Sequence, residues 1–90
     1  MRVIDFKTVQ PFFDQERDGR KPFTTRLVDW KDPRYIYLLN LLQGQVQEKE
    51  TSIRITNPKT HERFQRRLVG MQWQPGTETW LNLQLGEVVK

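Results

Sequence analysis

From residue 51 to residue 85 apolar and polar side chains alternate in three runs, and two turn signals divide them. The alternation predicts strands over 51–56, 63–73 and 79–85, with hairpin connections at Asn57-Pro58-Lys59-Thr60 and Pro75-Gly76-Thr77-Glu78. With four residues in each loop, Ile53 falls opposite Phe64, Arg54 opposite Arg63 and Trp73 opposite Trp80. That register gathers Ile53, Ile55, Phe64, Leu68, Leu81, Leu83 and Leu85 on one face, the core side of an antiparallel meander. The other face carries Arg54, Arg63, Gln65, Arg67, Trp73, Trp80, Asn82 and Gln84. Directly opposed arginines destabilise a sheet, so Arg54 and Arg63 either splay into water or await an anion. Arg66 falls on the core side, a conflict that a bulge near it or a barrel-closing bend at Gly70 would resolve.

The rest of the chain supplies elements to pack on this meander. Val3 to Phe6 is a short β-prone opening. Pro11 suits the first turn of a helix over 11–18, which Gly19 can close in the left-handed conformation, and Phe12 and Phe13 are its core anchors. A strand follows, with Phe23, Thr25 and Leu27 on one face and Thr24, Arg26, Val28 and Trp30 on the other. Asp32 as N-cap, Pro33 at the first helical position and Gly44 at the end predict a helix over 33–43. Tyr35, Leu38, Leu39 and Leu42 form its core stripe. Ile36, Tyr37 and Leu41 lie off that stripe and require a second buried face, either within the monomer or against another subunit. Residues 45–50 form a polar connector, and Gly86 is expected to end the last strand. The expected fold is α+β, one domain over residues 1–90, with a small bent antiparallel sheet or partly open β-barrel and one or two short helices.

Composition narrows the choice of function. Ninety residues allow one modest core. No apolar run approaches a membrane span, and the absence of cysteine removes disulfides and thiolate chemistry and fits a cytoplasmic protein. The net charge of +4 is concentrated in the middle of the chain: residues 17–67 hold twelve Lys and Arg against six Asp and Glu. His61 is the only histidine and falls in a predicted turn, so triads lack their usual base and no metal-ligand spacing appears. No phosphate loop or dinucleotide fingerprint is present, and no catalytic residue, metal site or cofactor is assigned.

The order of aromatic helix followed by Gly19-Arg20-Lys21-Pro22-Phe23-Thr24-Thr25-Arg26 resembles the N-terminal signature of ASCH domains, small β-barrels related to the PUA fold. That resemblance implies association with RNA or modified nucleosides and a cleft lined by Lys21, Thr24 and Arg26. Pro22 departs from the family pattern, and a leucine-rich helix replaces its usual Gly-Asp turn. Members that hydrolyse acylated nucleosides add a glutamate from a later strand, where this chain reads Arg66-Arg67-Leu68-Val69, so the resemblance does not carry the catalytic carboxylate over.

Guanidinium groups bind phosphates and tryptophans stack on unpaired bases. The function expected is therefore binding of RNA or single-stranded nucleic acid, with Lys21, Thr24 and Arg26 in a cleft, Arg54, Arg63 and Arg67 on phosphates, and Trp73 and Trp80 on bases. Those tryptophans would serve equally as a cross-strand pair buried under the first helix or the termini. The alternative is a non-catalytic accessory protein of a phage or mobile element, acting through protein contacts or as a homodimer through Ile36, Tyr37 and Leu41.

Overall fold

The computed structural model describes residues 2–44 and 50–89. Seven elements follow in chain order: β1 (Arg2–Lys7), α1 (Phe12–Asp18), β2 (Phe23–Leu27), α2 (Pro33–Leu42), β3 (Thr51–Thr56), β4 (Arg63–Gln74) and β5 (Trp80–Val88). They build an α+β domain around one five-stranded sheet of order β1-β3-β4-β5-β2, curled into a half-barrel. The sheet is mixed where an antiparallel one was expected, because β1 runs parallel to β3 while the other three pairings are antiparallel. The polar connector expected over 45–50 lies outside the described residues except for Glu50.

Each helix forms for local reasons and is kept by packing. Asp32 caps α2 by accepting from the Arg34 amide, Pro33 takes the first turn, and Gly44 adopts φ 75° just beyond the Gln43 cap. Gly19 at φ 82° closes α1, a conformation that costs a residue with a Cβ about 1–2 kcal/mol. Both helices cover the concave face of the sheet. Phe13 from α1 and Tyr35 and Leu38 from α2 join Ile4, Phe6, Ile53, Ile55, Leu81, Leu83 and Leu85 in one buried cluster. Tyr37, placed off the core stripe by sequence, packs against this cluster and its hydroxyl meets Thr51 Oγ1 at 3.1 Å. Leu42, placed on the stripe, is exposed together with Ile36. Among the described residues no helix is long and apolar enough to cross a membrane.

The two hairpins depart from the expected register in different ways. In the first, Asn57 pairs with Glu62 and its side chain accepts from the Lys59 amide, so the loop is 58–61 and Phe64 faces Ile55 rather than Ile53. A shift of two residues preserves every face. Arg63 therefore faces Thr56, and Arg54 faces Gln65. Arg54 instead pairs with Asp5 of β1 at 2.9 Å, which removes the expected repulsion between the two arginines.

The second hairpin is shifted by one, with Trp73 opposite Leu81 and Trp80 opposite Gln74. The cause lies upstream. Register breaks between Arg66 and Leu68 and between Leu68 and Gly70 interrupt the ladder, and the residue inserted before Gly70 inverts the alternation beyond it. Met71 and Trp73 thus turn to the core side, where Trp73 packs against the cluster and meets the Trp30 ring at 5.7 Å. The Trp73–Trp80 pair expected from sequence does not form. Strand β5 also runs past Gly86 to Val88, which pairs with Arg66. Arg66 itself donates to Gly86 O at 2.7 Å and to Arg17 O at the end of α1 at 2.8 Å, so a cation on the inner face satisfies backbone carbonyls there.

The helical phase of α1 makes a testable distinction between neighbours. Phe13 is fully buried with its ring edge-on to Phe64 at 5.3 Å, whereas Phe12 is 51% exposed. Phe13→Ala is expected to lose about 3–5 kcal/mol in urea unfolding, and Phe12→Ala well under about 1 kcal/mol. Equal losses would place the helix in the wrong rotation.

Candidate nucleic-acid interface

A curled sheet of five strands leaves two free edges, β1 and β2, and the seam between them holds the strongest concentration of unusual chemistry. Thr24 and Arg26 pair with Leu83 and Leu81, so these two polar side chains of β2 point to the concave side. Arg26 crosses the seam. Its Nη1 donates to Lys7 O at 2.8 Å and its Nη2 to the Thr8 hydroxyl. Arg34, from the first turn of α2, donates to Asp5 O two residues earlier on the same β1 edge. Both guanidinium groups lie over the Phe6 ring, at 4.9 and 4.7 Å from its centroid.

Two adjoining hollows open along this seam. The larger, of about 680 Å³, is lined by Asp5, Phe6, Lys7, Arg26, Arg34 and Tyr35. The smaller, of about 330 Å³, is lined by residues that include Lys7, Phe12, Glu16, Lys21, Thr24 and Arg26. Lys7 and Arg26 are common to both, which makes the two hollows one cleft. Lys21, Thr24 and Arg26, the three cleft residues expected from sequence, do share this cleft. The Lys21 ammonium is held between the faces of Phe12 and Phe23, at 5.0 and 5.2 Å, rather than by a carboxylate.

Charge in the cleft is only partly cancelled. Four cations line it, Lys7, Lys21, Arg26 and Arg34, against Asp5 and Glu16. Asp5 is engaged by Arg54, and Arg34 is also forked onto Asp32, with Nε at 2.9 Å from Oδ2. The Arg34 hydrogen bonds hold the Asp32 carboxyl below its ordinary range. One carbonyl and one hydroxyl accept from the Arg26 guanidinium without neutralising it, and its buried Nε has no hydrogen-bond partner among the described residues. Burial lowers its pKa, with the Glu16 charge pulling the other way.

Glu16 is the residue that sequence reasoning missed. It is fully buried, and neither carboxylate oxygen has a hydrogen-bond partner of normal geometry among the described residues. Burial pushes its carboxyl above the ordinary value, against the opposing pull of the Thr24 hydroxyl and of the Lys21 and Arg26 charges. The signal in the sequence was its spacing. Glu16 stands three and four residues after Phe13 and Phe12, on the helix face that an amphipathic reading assigns to the core.

The remaining expected contacts divide by location. Arg54, Arg63 and Arg67 share the outer face of the sheet, as their pairing with Gln65, Thr56 and Ser52 requires. Arg67 is engaged by Glu50 at 3.5 Å and Glu87 at 3.3 Å. Arg63 is exposed and makes no ion pair among the described residues, and it continues a row from Lys7 through Thr56 across three strands. Trp80, 40% exposed, stands on the outer face beside Leu27 of the edge strand β2. Trp73 belongs to the core side and is not available to a ligand on the outer face. His61 is exposed in its turn at φ 63°. No family model, curated protein or solved structure matches the chain.

The buried carboxylate has a measurable cost. Its folded pKa lies above the ordinary 4.5, so the native state keeps a proton that the unfolded chain has already released. The stability this group contributes is present below that value and is lost as pH rises through the folded pKa. Glu16→Gln, neutral at every pH, is expected to match the wild type at pH 4. At pH 7.5 it is expected to exceed it by about 1 kcal/mol, or several degrees in Tm. A variant less stable than wild type at pH 7.5 in thermal unfolding would mean that Glu16 is well satisfied.

Proposed function

We propose that this protein binds single-stranded RNA or DNA, taking a nucleotide into the seam cleft and guiding the adjoining backbone along Lys7, Thr56 and Arg63. The observation that carries this reading is the convergence of Lys21, Arg26 and Arg34 in one cleft, with Lys7 at its outer edge and its one carboxylate without an ion pair buried. Phosphates suit Lys7 and the two guanidinium groups, which retain their charge. Phe12 offers an exposed aromatic face at the cleft rim, and a stacked base contributes about 1–3 kcal/mol. The resemblance of Gly19 to Arg26 to the ASCH signature supports the same class of ligand.

Lys7 and Lys21 are the informative positions, because neither holds the seam together as Arg26 does. In titrations of a labelled single-stranded RNA at low salt, each change to alanine is expected to weaken binding several-fold. Each should also reduce the slope of log K against log salt by about 0.7, the contribution of one phosphate contact on a single strand. Trp80→Ala is expected to leave binding unchanged. Failure of the wild type to bind RNA or DNA at tens of micromolar, or unchanged binding in both lysine variants, would overturn the proposal.

One observation favours a second reading. Glu16 places a buried carboxylate beside Lys21 and Thr24, the residue types that ASCH amidohydrolases combine, with the carboxylate supplied by α1 instead of a later strand. Release of the free nucleoside from a base acylated on its exocyclic amine, abolished by Lys21→Ala, would establish hydrolysis. No turnover with any acylated nucleoside would leave binding alone.

A further inference from the structure

The unpartnered carboxylate is the most specific feature of the cleft. Both Glu16 oxygens are acceptors, and neither has a hydrogen-bond donor of normal geometry among the described residues, in a site where every other polar wall residue has charge or hydroxyl to offer. Thr24 has one hydroxyl and leans on the carboxylate only enough to oppose part of the burial effect. Lys21 is drawn instead to the rings of Phe12 and Phe23. A ligand that completes this site must present two hydrogen-bond donors side by side.

Among the four standard nucleobases one edge does so. Guanine carries N1–H beside the N2 amine, whereas adenine and cytosine place a ring acceptor next to their amines, and uracil has one N–H between two carbonyls. We infer that Glu16 makes the cleft selective for guanine, accepting from N1–H and N2–H while the phosphate lies toward Lys7, Arg26 and Arg34. This inference rests on the nucleic-acid reading and deepens it by naming the base. Because Glu16 is fully buried, entry requires the side chains of the cleft wall to part, Lys21 among them. The unbranched Lys21 chain allows such a movement, since its ammonium lies over two ring faces and forms no ion pair among the described residues.

The test needs no variant at its first step. Guanosine and inosine monophosphates differ only in the N2 amine, so calorimetric titration of the intact chain at pH 7.5 isolates one of the two donors. The guanosine nucleotide is expected to bind about tenfold more tightly than the inosine, adenosine, cytidine or uridine nucleotides, a ratio typical of one well-formed two-point contact. Glu16→Gln, which keeps the shape but replaces an acceptor with a donor, is expected to abolish the preference and keep the weaker, salt-sensitive binding common to all five. Equal binding of the guanosine and inosine nucleotides, or a guanine preference that survives Glu16→Gln, would overturn the guanine inference and leave the cationic cleft standing. Absence of binding by every nucleotide and by single-stranded RNA would overturn both.

Discussion

The half-barrel depends on how its open side is held. Strand β1 has a hydrogen-bonded neighbour on one side only, so the carbonyls of Asp5 and Lys7 point along a free edge, and such an edge is a template for unwanted pairing. Two arginines from different elements occupy it. Arg26 belongs to β2, the opposite edge of the same sheet, and Arg34 to the first turn of α2. The curl of the sheet, the position of α2 and the blocking of the β1 edge are therefore one arrangement. The carbonyls accept from these side chains without cancelling their charge, and although Asp32 pairs with Arg34, Arg26 has no ion pair among the described residues, so the closure that completes the fold also leaves positive potential in the cleft.

The same economy explains why the site is costly. A buried carboxylate with no donor of normal geometry among the described residues, beside the Arg26 guanidinium, does not improve a core, and an apolar residue at position 16 would pack more favourably. Such groups collect where a ligand completes them. Arg66 also enters the inner face, but outside the cleft, where it donates to Gly86 O and Arg17 O and tethers α1 to the sheet.

Much of this architecture was legible in the sequence because it is local. The capped helix at Asp32-Pro33, the left-handed closure at Gly19 and the two Pro-containing turns follow from backbone preferences of those residues. The conflict posed by Arg66 correctly announced a bulge. What the alternation could not reveal was the second break before Gly70, and that one residue moved Trp73 from the outer face to the core. The parallel pairing of β1 with β3 was equally hidden, since it joins segments almost fifty residues apart with no turn to mark it. Lys21, Thr24 and Arg26 were placed together by a motif, whereas Glu16 was overlooked because a glutamate in a short surface helix ordinarily faces water.

The central claim is that the seam cleft, rather than the outer face with Trp80, receives the ligand. Backbone amide chemical shifts of the isotopically labelled chain, followed as a short single-stranded RNA is added, test it directly. The largest changes are expected at Lys7, Thr8, Lys21, Thr24, Arg26 and Arg34, with smaller ones at Thr56 and Arg63. Changes confined to Leu27, Trp80 and Asn82, or none at all at saturating RNA, would contradict the account.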